Sequence, residues 1–555
     1  MVKLRLWLLI ILAAFLGRIV LTYRVFNDTT DEQMHIACGL EYLEKAVYRI
    51  EPQHPPLARL ALAALPYYFA GMRALQGAGM WGNGAWGLYR LDYYWKTLSL
   101  ARAGNLIFAV LLFYFVYRWS LLLHGSKAAV AACLLATCCP NLIAHASLAT
   151  VDMAAAATIL MAAFFLWQWC EQPGWRYCLA SAAAFAVATL CKFSALAFLP
   201  PIAAAYFLTS RWGRWRAGQR PYLRHFGQGL LRAGAFCALA ALIVWAGYKF
   251  DVGFAIPPGH HYHSTFNLGP PGSLPRLLLQ SVGFRVMPAP RFWEGLIVVS
   301  SHNQEGHLAY LLGKRSMGGW WYYFPVAVGL KTTFPLLLLA ASGVGLSLFR
   351  PAGRSRARLY PVWAAGVIMA VAMTSHINIG VRHALPIFPF FAILGAALFA
   401  DAESRYRRRR LWQAAAMALL AWHVVESVAA HPDYLPYFNE LARGREERFL
   451  ADSNLDWGQD LARLARYTRE HHITSIQLSY FGTSNAVRLG VPAKALPWFG
   501  HDSGWVAISV SHLVGLRVNP DYTRWYREQK PFARVGKSIW IFYLPPAGQA
   551  GAPAR

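Results

Sequence analysis

Apolar stretches of about twenty residues, the length a helix needs to cross a bilayer, recur along this chain and decide what it can fold into. After a first run ending near Val20, such windows lie at roughly 98–117, 128–145, 152–170, 177–191, 193–209, 232–250, 321–348, 359–376, 383–401 and 411–430. They predict about eleven spans. Several contain Pro or Gly, which spans tolerate when neighbouring helices satisfy the freed backbone groups. Composition agrees: 57% of the 555 residues are apolar and 14% charged, where soluble domains average about a quarter charged. The first run follows Lys3 and Arg5 like a signal sequence, but it lacks a small-residue cleavage site and carries Arg18, so it reads as an uncleaved span.

The net charge of +27 belongs to the loops. Arg211, Arg214, Arg216, Arg220 and Arg224 fall in one loop, Arg350, Arg354, Arg356 and Arg358 in a second, and Arg405 with Arg407 through Arg410 in a third. The span count puts all three on one side, which the positive-inside rule makes cytoplasmic. Basic runs in short inter-helix loops meet anionic lipid, so nucleic acid is not expected as a partner. The segments 25–97 and 251–320 and the tail 431–555 then face outward, in the periplasm of a bacterium with two membranes, and the N-terminus is cytoplasmic. Of the eight cysteines, seven sit in hydrophobic stretches and Cys38 lies outside them, which is no disulfide framework.

The outward segments are patterned. Ala37–Tyr48 and Leu57–Met72 read as helices lying along the interface, and the second loop, with Pro257-Pro258, His260, His261, His263 and Pro270-Pro271, is too rich in turn residues for a regular helix. From His431 a charged helix near Leu461–His471 precedes short β-rich runs at Ser475–Tyr480, Trp505–Val510 and Ile539–Leu544, a small α/β domain. The fold class is therefore a mainly α polytopic membrane protein, a transmembrane domain over 1–430 followed by an extracytoplasmic α/β domain over 431–555.

No Walker loop, strand-linked GxGxxG, CxxC or HExxH occurs. Energy for any reaction must arrive with the substrate, and outside a membrane a carrier-lipid phosphate ester is the natural activated group. Asp31-Glu32 after the first span, Gln53-His54-Pro55-Pro56-Leu57, Asp152 at the start of a later span, Lys192-Phe193-Ser194, Tyr310 to Gly313, Gly319 to Pro325, Asn378 to Pro386, Phe438-Asn439-Glu440 and Asp452 to Leu461 follow one another along the chain. In that order they resemble the C-type membrane glycosyltransferases, within them family 39, the protein O-mannosyltransferase and aminoarabinose transferase group, over about residues 5 to 490.

The resemblance implies a polyprenyl-phosphate sugar donor, a protein, lipid or glycan acceptor, and inverting transfer. Asp31 matches the acidic residue of the family's first loop and is the expected base, with Glu32 beside it; a helix cap by Asp31, Thr30 or Asp28 is the structural alternative. Asp152 matches a site-organising carboxylate and is otherwise an N-cap. Lys192, Arg382 and His383 are the expected donor-phosphate contacts, with snorkelling as their alternative; Lys314 and Arg315 are further candidates. His54 stands where the aminoarabinose transferases carry a lysine, and Gln53 where they carry a glutamate and presumed metal ligand, so His54 is a phosphate contact only when charged. His302 and His307 are the residues left for a divalent metal. Asp452, Asn454, Asp456 and Gln459 read as acceptor contacts, a cation site or a helix cap. A transporter of a glycolipid or small solute is the competing class; it would usually show internal repeats and discontinuous mid-span helices, whereas here the unusual residues gather at one face.

Overall fold

The computed structural model describes residues 2–74, 88, 93–216, 226–256, 270–349, 356–400, 407–496 and 503–545. His260, His261 and His263 lie outside the described residues, as do parts of the three basic loops. Helices α1 (Val2–Leu21), α2 (Glu32–Lys45), α3 (Pro56–Ala70), α4 (Tyr94–Ala103) and α5 (Leu106–His124) open the chain. They are followed by α6 (Ser126–Thr137), α7 (Pro140–Ala146), α8 (Asp152–Glu171), α9 (Trp175–Cys191), α10 (Ser194–Arg216) and α11 (Phe226–Gly247).

Among the described residues, five helical stretches are long and apolar enough to cross a membrane: Leu4–Leu21, Tyr94–His124, Asp152–Glu171, Gly227–Gly247 and Leu411–Ala429. Two bent pairs bring the number to seven. In α6–α7 the bend is 63°, where Cys139 is extended (φ −74°, ψ 115°) ahead of Pro140, as the residue before a proline prefers. Between α14 (Tyr323–Lys331) and α15 (Phe334–Phe349) it is 117°, at extended Thr332 with Pro335 in the first turn beyond. The sequence count of about eleven came from windows that fold as bent pairs or as helices short of a full apolar span, among them Trp175–Cys191 and Ile387–Phe399.

The centre of the bundle is built from small residues. Ala154 to Ala157, Ala162 and Ala163 of α8 are almost wholly buried, which lets neighbouring backbones approach closely, while Trp119 and Trp167 stack with ring centroids 5.4 Å apart. Between α2 and α3 the approach is closer: a Cβ on Gly39 would collide with the Arg59 carbonyl. These two helices, with α13 (Pro290–Glu305), which follows the short α12 (Leu274–Leu278), roof the end of the bundle that holds the site. Helices α16 (Leu359–Ala372), α17 (Ile387–Ala396) and α18 (Arg407–Ala429) complete the bundle.

Beyond α18, helix α19 (Leu461–Glu470) and a five-stranded sheet form the tail. Two short antiparallel strand pairs come earlier in the chain, β1 (Val252–Phe254) with β2 (Val286–Pro288) and the hairpin of β3 (Ala309–Leu311) with β4 (Lys314–Ser316). The tail strands are β5 (Ile476–Ser479), β6 (Ala493–Ala495), β7 (Gly504–Ser509), β8 (Ala533–Val535) and β9 (Ile539–Leu544), ordered β6-β5-β7-β9-β8. β5 is parallel to β6 and β7, and β9 is antiparallel to β7, from Gly504 opposite Leu544 to Ser509 opposite Ile539. The period-two alternation of strands gives the sheet two buried faces. Val506, Ile508, Trp540 and Phe542 join the core of the bundle, and Ala507, Ile539 and Ile541 pack with Leu461 and Leu464 of α19. One face of the tail's sheet thus belongs to a core continuous with that of the helices.

Candidate active site

Helices α8 and α9 form an antiparallel hairpin, so the start of one and the end of the other lie at the same level. Asp152, first residue of α8, therefore meets Lys192, forty positions on, whose extended backbone (φ −160°, ψ 135°) breaks α9 from α10. The Lys192 ammonium donates to Asp152 Oδ1 at 2.6 Å. Asp152 Oδ2 lies 3.8 Å from Arg382 Nη1 and 3.8 Å from His145 Nδ1 and accepts no hydrogen bond. Arg382 belongs to an irregular segment between α16 and α17; its Nη1 donates to Asp31 Oδ2 at 2.7 Å. Two carboxylates and two cations from four distant parts of the chain thus alternate as Asp31, Arg382, Asp152, Lys192. Asp152 is fully buried, Lys192 and Arg382 nearly so, and Asp31 keeps 18% of its side chain exposed, so the open end of the series is Asp31. The cap alternatives for Asp31 and Asp152 are not realised. Neither Asp31 nor Val151, the residues preceding α2 and α8, makes a side-chain cap bond.

Asp31 and Glu32 have opposite fates. Glu32, fully buried, receives Arg102 Nε and Nη2, each at 2.8 Å, the Ala149 N–H at 2.7 Å and the Thr29 N–H at 2.8 Å. Its oxygens are committed to structure, which corrects its expected catalytic role, and the charge that Asp31 meets is that of Arg382. Asp28 is likewise occupied, accepting from the Tyr94 hydroxyl and Gln33 Nε2 at 2.5 Å each.

The Gln53-His54-Pro55-Pro56 turn wraps around buried Arg59, which pairs with Glu51 and donates to the Tyr48 hydroxyl at 2.6 Å, the Glu51 carbonyl at 2.7 Å and the His54 carbonyl at 3.2 Å. His54 contributes its backbone here. Burial, then the charge of Arg59, then His35 and Lys192, hold its imidazole well below the usual histidine range. His35 Nδ1 accepts from Arg59 Nε at 3.0 Å, which puts the imidazole proton on Nε2, a buried atom without a hydrogen-bond partner. His383, beside Arg382, also leaves a buried Nε2 without one. His302 Nε2 and His307 Nδ1 face each other at 3.2 Å, and burial, with His302 next, lowers His307 to about 4. No cluster of three or more His, Cys, Asp or Glu able to hold a metal occurs among the described residues. The two histidines satisfy each other and do not fit the expected metal site. Lys314 is exposed, and Arg315 donates to the Gly515 carbonyl at 3.1 Å, tying a hairpin to the tail.

The tail motif folds onto the site loops. Asn454 Oδ1 accepts the Val381 N–H at 2.9 Å, and Ser453 Oγ donates to the Ile379 carbonyl at 2.8 Å. The Trp457 ring lies under the Arg382 guanidinium, 4.2 Å from its centroid. Asp456 accepts the Ser511 N–H at 2.8 Å and the Gly458 N–H at 3.2 Å, and Gln459 Oε1 accepts the Trp457 N–H at 2.7 Å. Asp456 and Gln459 thus shape the loop and are spent on backbone. Burial, opposed by Arg382, raises Asp452 to about 6. Sequence reading missed Arg59, Arg102 and Lys331, whose ammonium donates to the Leu435 and Asn454 carbonyls at 2.6 Å each. For Arg102 and Lys331 the signal was there: a charge inside an apolar window must be paired or functional.

Residues 96–242 match a family profile described as dolichyl-phosphate-mannose-protein mannosyltransferase. That stretch holds Asp152 and Lys192 and runs from α4 into α11. No curated protein matches the chain. The crystal structure of ArnT from Cupriavidus metallidurans bound to undecaprenyl phosphate is similar with a TM-score of 0.52 at 14% identity, covering 96% of this chain and 98% of that one. Its apo state follows at 0.49 and 14%, with 96% and 97% covered, and the apo oligosaccharyltransferase of Archaeoglobus fulgidus at 0.48 and 13%, with 93% and 72% covered. The chain shares the fold of the first of these from end to end. The resemblance to the C-type membrane glycosyltransferases holds, as does the multi-pass membrane fold.

Proposed function

We propose that the chain transfers a sugar from a polyprenyl-phosphate donor to an acceptor hydroxyl, with Asp31 as base and Lys192 and Arg382 on the donor phosphate. The observation that carries this is the alternating series Asp31–Arg382–Asp152–Lys192 at one end of the bundle. An acceptor oxygen attacks the anomeric carbon from the face opposite the phosphate, a new C–O bond forms as the sugar–phosphate C–O bond breaks, and the acceptor proton passes to Asp31. The electron pair leaves with the lipid phosphate. Its growing charge attracts the two cations, and as Arg382 turns toward it, the Asp31 carboxylate is freed to take the proton. Asp152 holds both cations in place. Support also comes from the family match over Asp152 and Lys192 and from the undecaprenyl phosphate held by the structure that shares the fold.

In this reading the site faces the periplasm of a bacterial inner membrane, with the N-terminus in the cytoplasm and the tail outside. The deciding experiment compares wild type and D31N in a deletion strain by mass spectrometry of lipid extracts and exported glycoproteins. Wild type restores the missing modification and clears the accumulated donor, and D31N, expressed at equal level, does neither. Restoration by D31N would remove Asp31 from the reaction.

A further inference from the structure

Resting on the proposed reading of Arg382 as a phosphate contact, we infer that Trp457 of the tail is a positioning residue, setting Arg382 and Asp31 against each other and against the donor phosphate. Three contacts meet on this one residue. The Arg382 guanidinium carbon lies over its ring, 4.2 Å from the centroid, where the cation is attracted by the ring face. Its carbonyl accepts the Thr30 N–H at 3.1 Å and the Thr30 hydroxyl at 3.3 Å, fixing the residue that immediately precedes Asp31. Its ring edge also meets His145, 6.2 Å away between centroids, the histidine beside Asp152.

Trp457 is 2% exposed, and its surroundings pin it. Gln459 accepts its N–H at 2.7 Å, and Asn27 Nδ2 donates to the next carbonyl, that of Gly458, at 2.7 Å. From the same segment Ser453 and Asn454 grip the Arg382 loop, closely enough that a Cβ on Gly380 would strike Ser453 Oγ. The tail therefore clamps two loops of the membrane domain that are about 350 residues apart in sequence, Asp31 to Arg382 being separated by 351 positions. Arg382 Nε is buried and makes no hydrogen bond, so the edge held out by the indole has a donor to spare. A guanidinium resting over a ring can turn from Asp31 toward an anion while it stays over that ring, which is the motion the transfer requires.

The test is binding of undecaprenyl phosphate to the purified full-length protein in nanodiscs, with W457F, W457L and R382A, each checked for its unfolding temperature. Wild type binds, R382A loses at least tenfold in affinity, W457L loses about tenfold and W457F, which keeps a flat ring, about threefold. W457L matching wild type while R382A is impaired overturns the role of Trp457 and leaves the phosphate reading intact. R382A matching wild type overturns the phosphate reading itself and the inference with it. If W457L does not fold, W457F decides, and an affinity equal to wild type overturns the inference.

Discussion

Neighbouring carboxylates with one sequence context have separate physical lives here, and mutagenesis distinguishes them. Asp31 has its partner in Arg382 and keeps part of its side chain open, so D31N should fold and bind donor while transfer falls by about a hundredfold or more, the scale of a lost general base. Glu32 neutralises Arg102 with both groups out of water. E32Q leaves that guanidinium buried without its counter-charge, which costs about 3 kcal/mol, so the expected outcome is a lowered unfolding temperature and poor yield, measured by fluorescence-detected melting. Asp31 and Glu32 share one sequence context, and nothing in two adjacent acids says which turns inward. That depended on Arg102, seventy positions away on α4.

At the scale of elements, close approach of backbones positions the site as much as any charged group. Gly39 lets α2 lie against the carbonyl of Arg59 on α3, and Arg59 in turn holds His35 and the His54 turn. G39A should separate the two helices at a cost of about 1–3 kcal/mol and lower transfer by disturbing the roof, read as a drop in unfolding temperature together with kcat. The proline-marked turn was legible as a turn. Its purpose was not, because the His54 carbonyl and not its ring is used, and the sequence pattern names side chains only. The strands at Ser475–Tyr480, Trp505–Val510 and Ile539–Leu544 fall where their β-branched and aromatic residues placed them. The short β6 and β8 and the helix Pro520–Glu528 escaped notice because three to nine residues carry too little periodicity.

At the scale of the molecule the tail is bound to the bundle through one continuous core, and its buried acids make that union depend on pH. Burial raises Asp456 to about 7, against two backbone donors, and Asp460 to about 6, against Arg463. Because these folded values lie above the ordinary carboxylate value of about 4, the native state holds protons that the unfolded chain has released in the window between about pH 4 and 7. Stability should therefore fall as pH rises through that window and level off above it. Melting of the full chain from pH 4.5 to 8 checks this, and D456N should flatten the slope. Orientation has its own test: K494C, at an exposed edge strand, should react with a membrane-impermeant maleimide added to spheroplasts without permeabilisation.

Hydropathy alone determined that this chain is a polytopic membrane protein, because a run of some twenty apolar residues has no other low-energy home. The ordered motifs also marked Asp31, Asp152, Lys192 and Arg382 as candidates. Which of those groups touch was decided only by tertiary structure. The antiparallel return of α8 and α9 brought Asp152 to Lys192, the loop between α16 and α17 carried Arg382 to Asp31, and the tail packed on that loop and on the loop before α2 through Trp457 and Asn454. The division has a physical reason: partition into lipid is a sum over local residues, whereas an ion pair or a stacked cation exists only where separate segments pack, and its partners leave no mark on either segment alone.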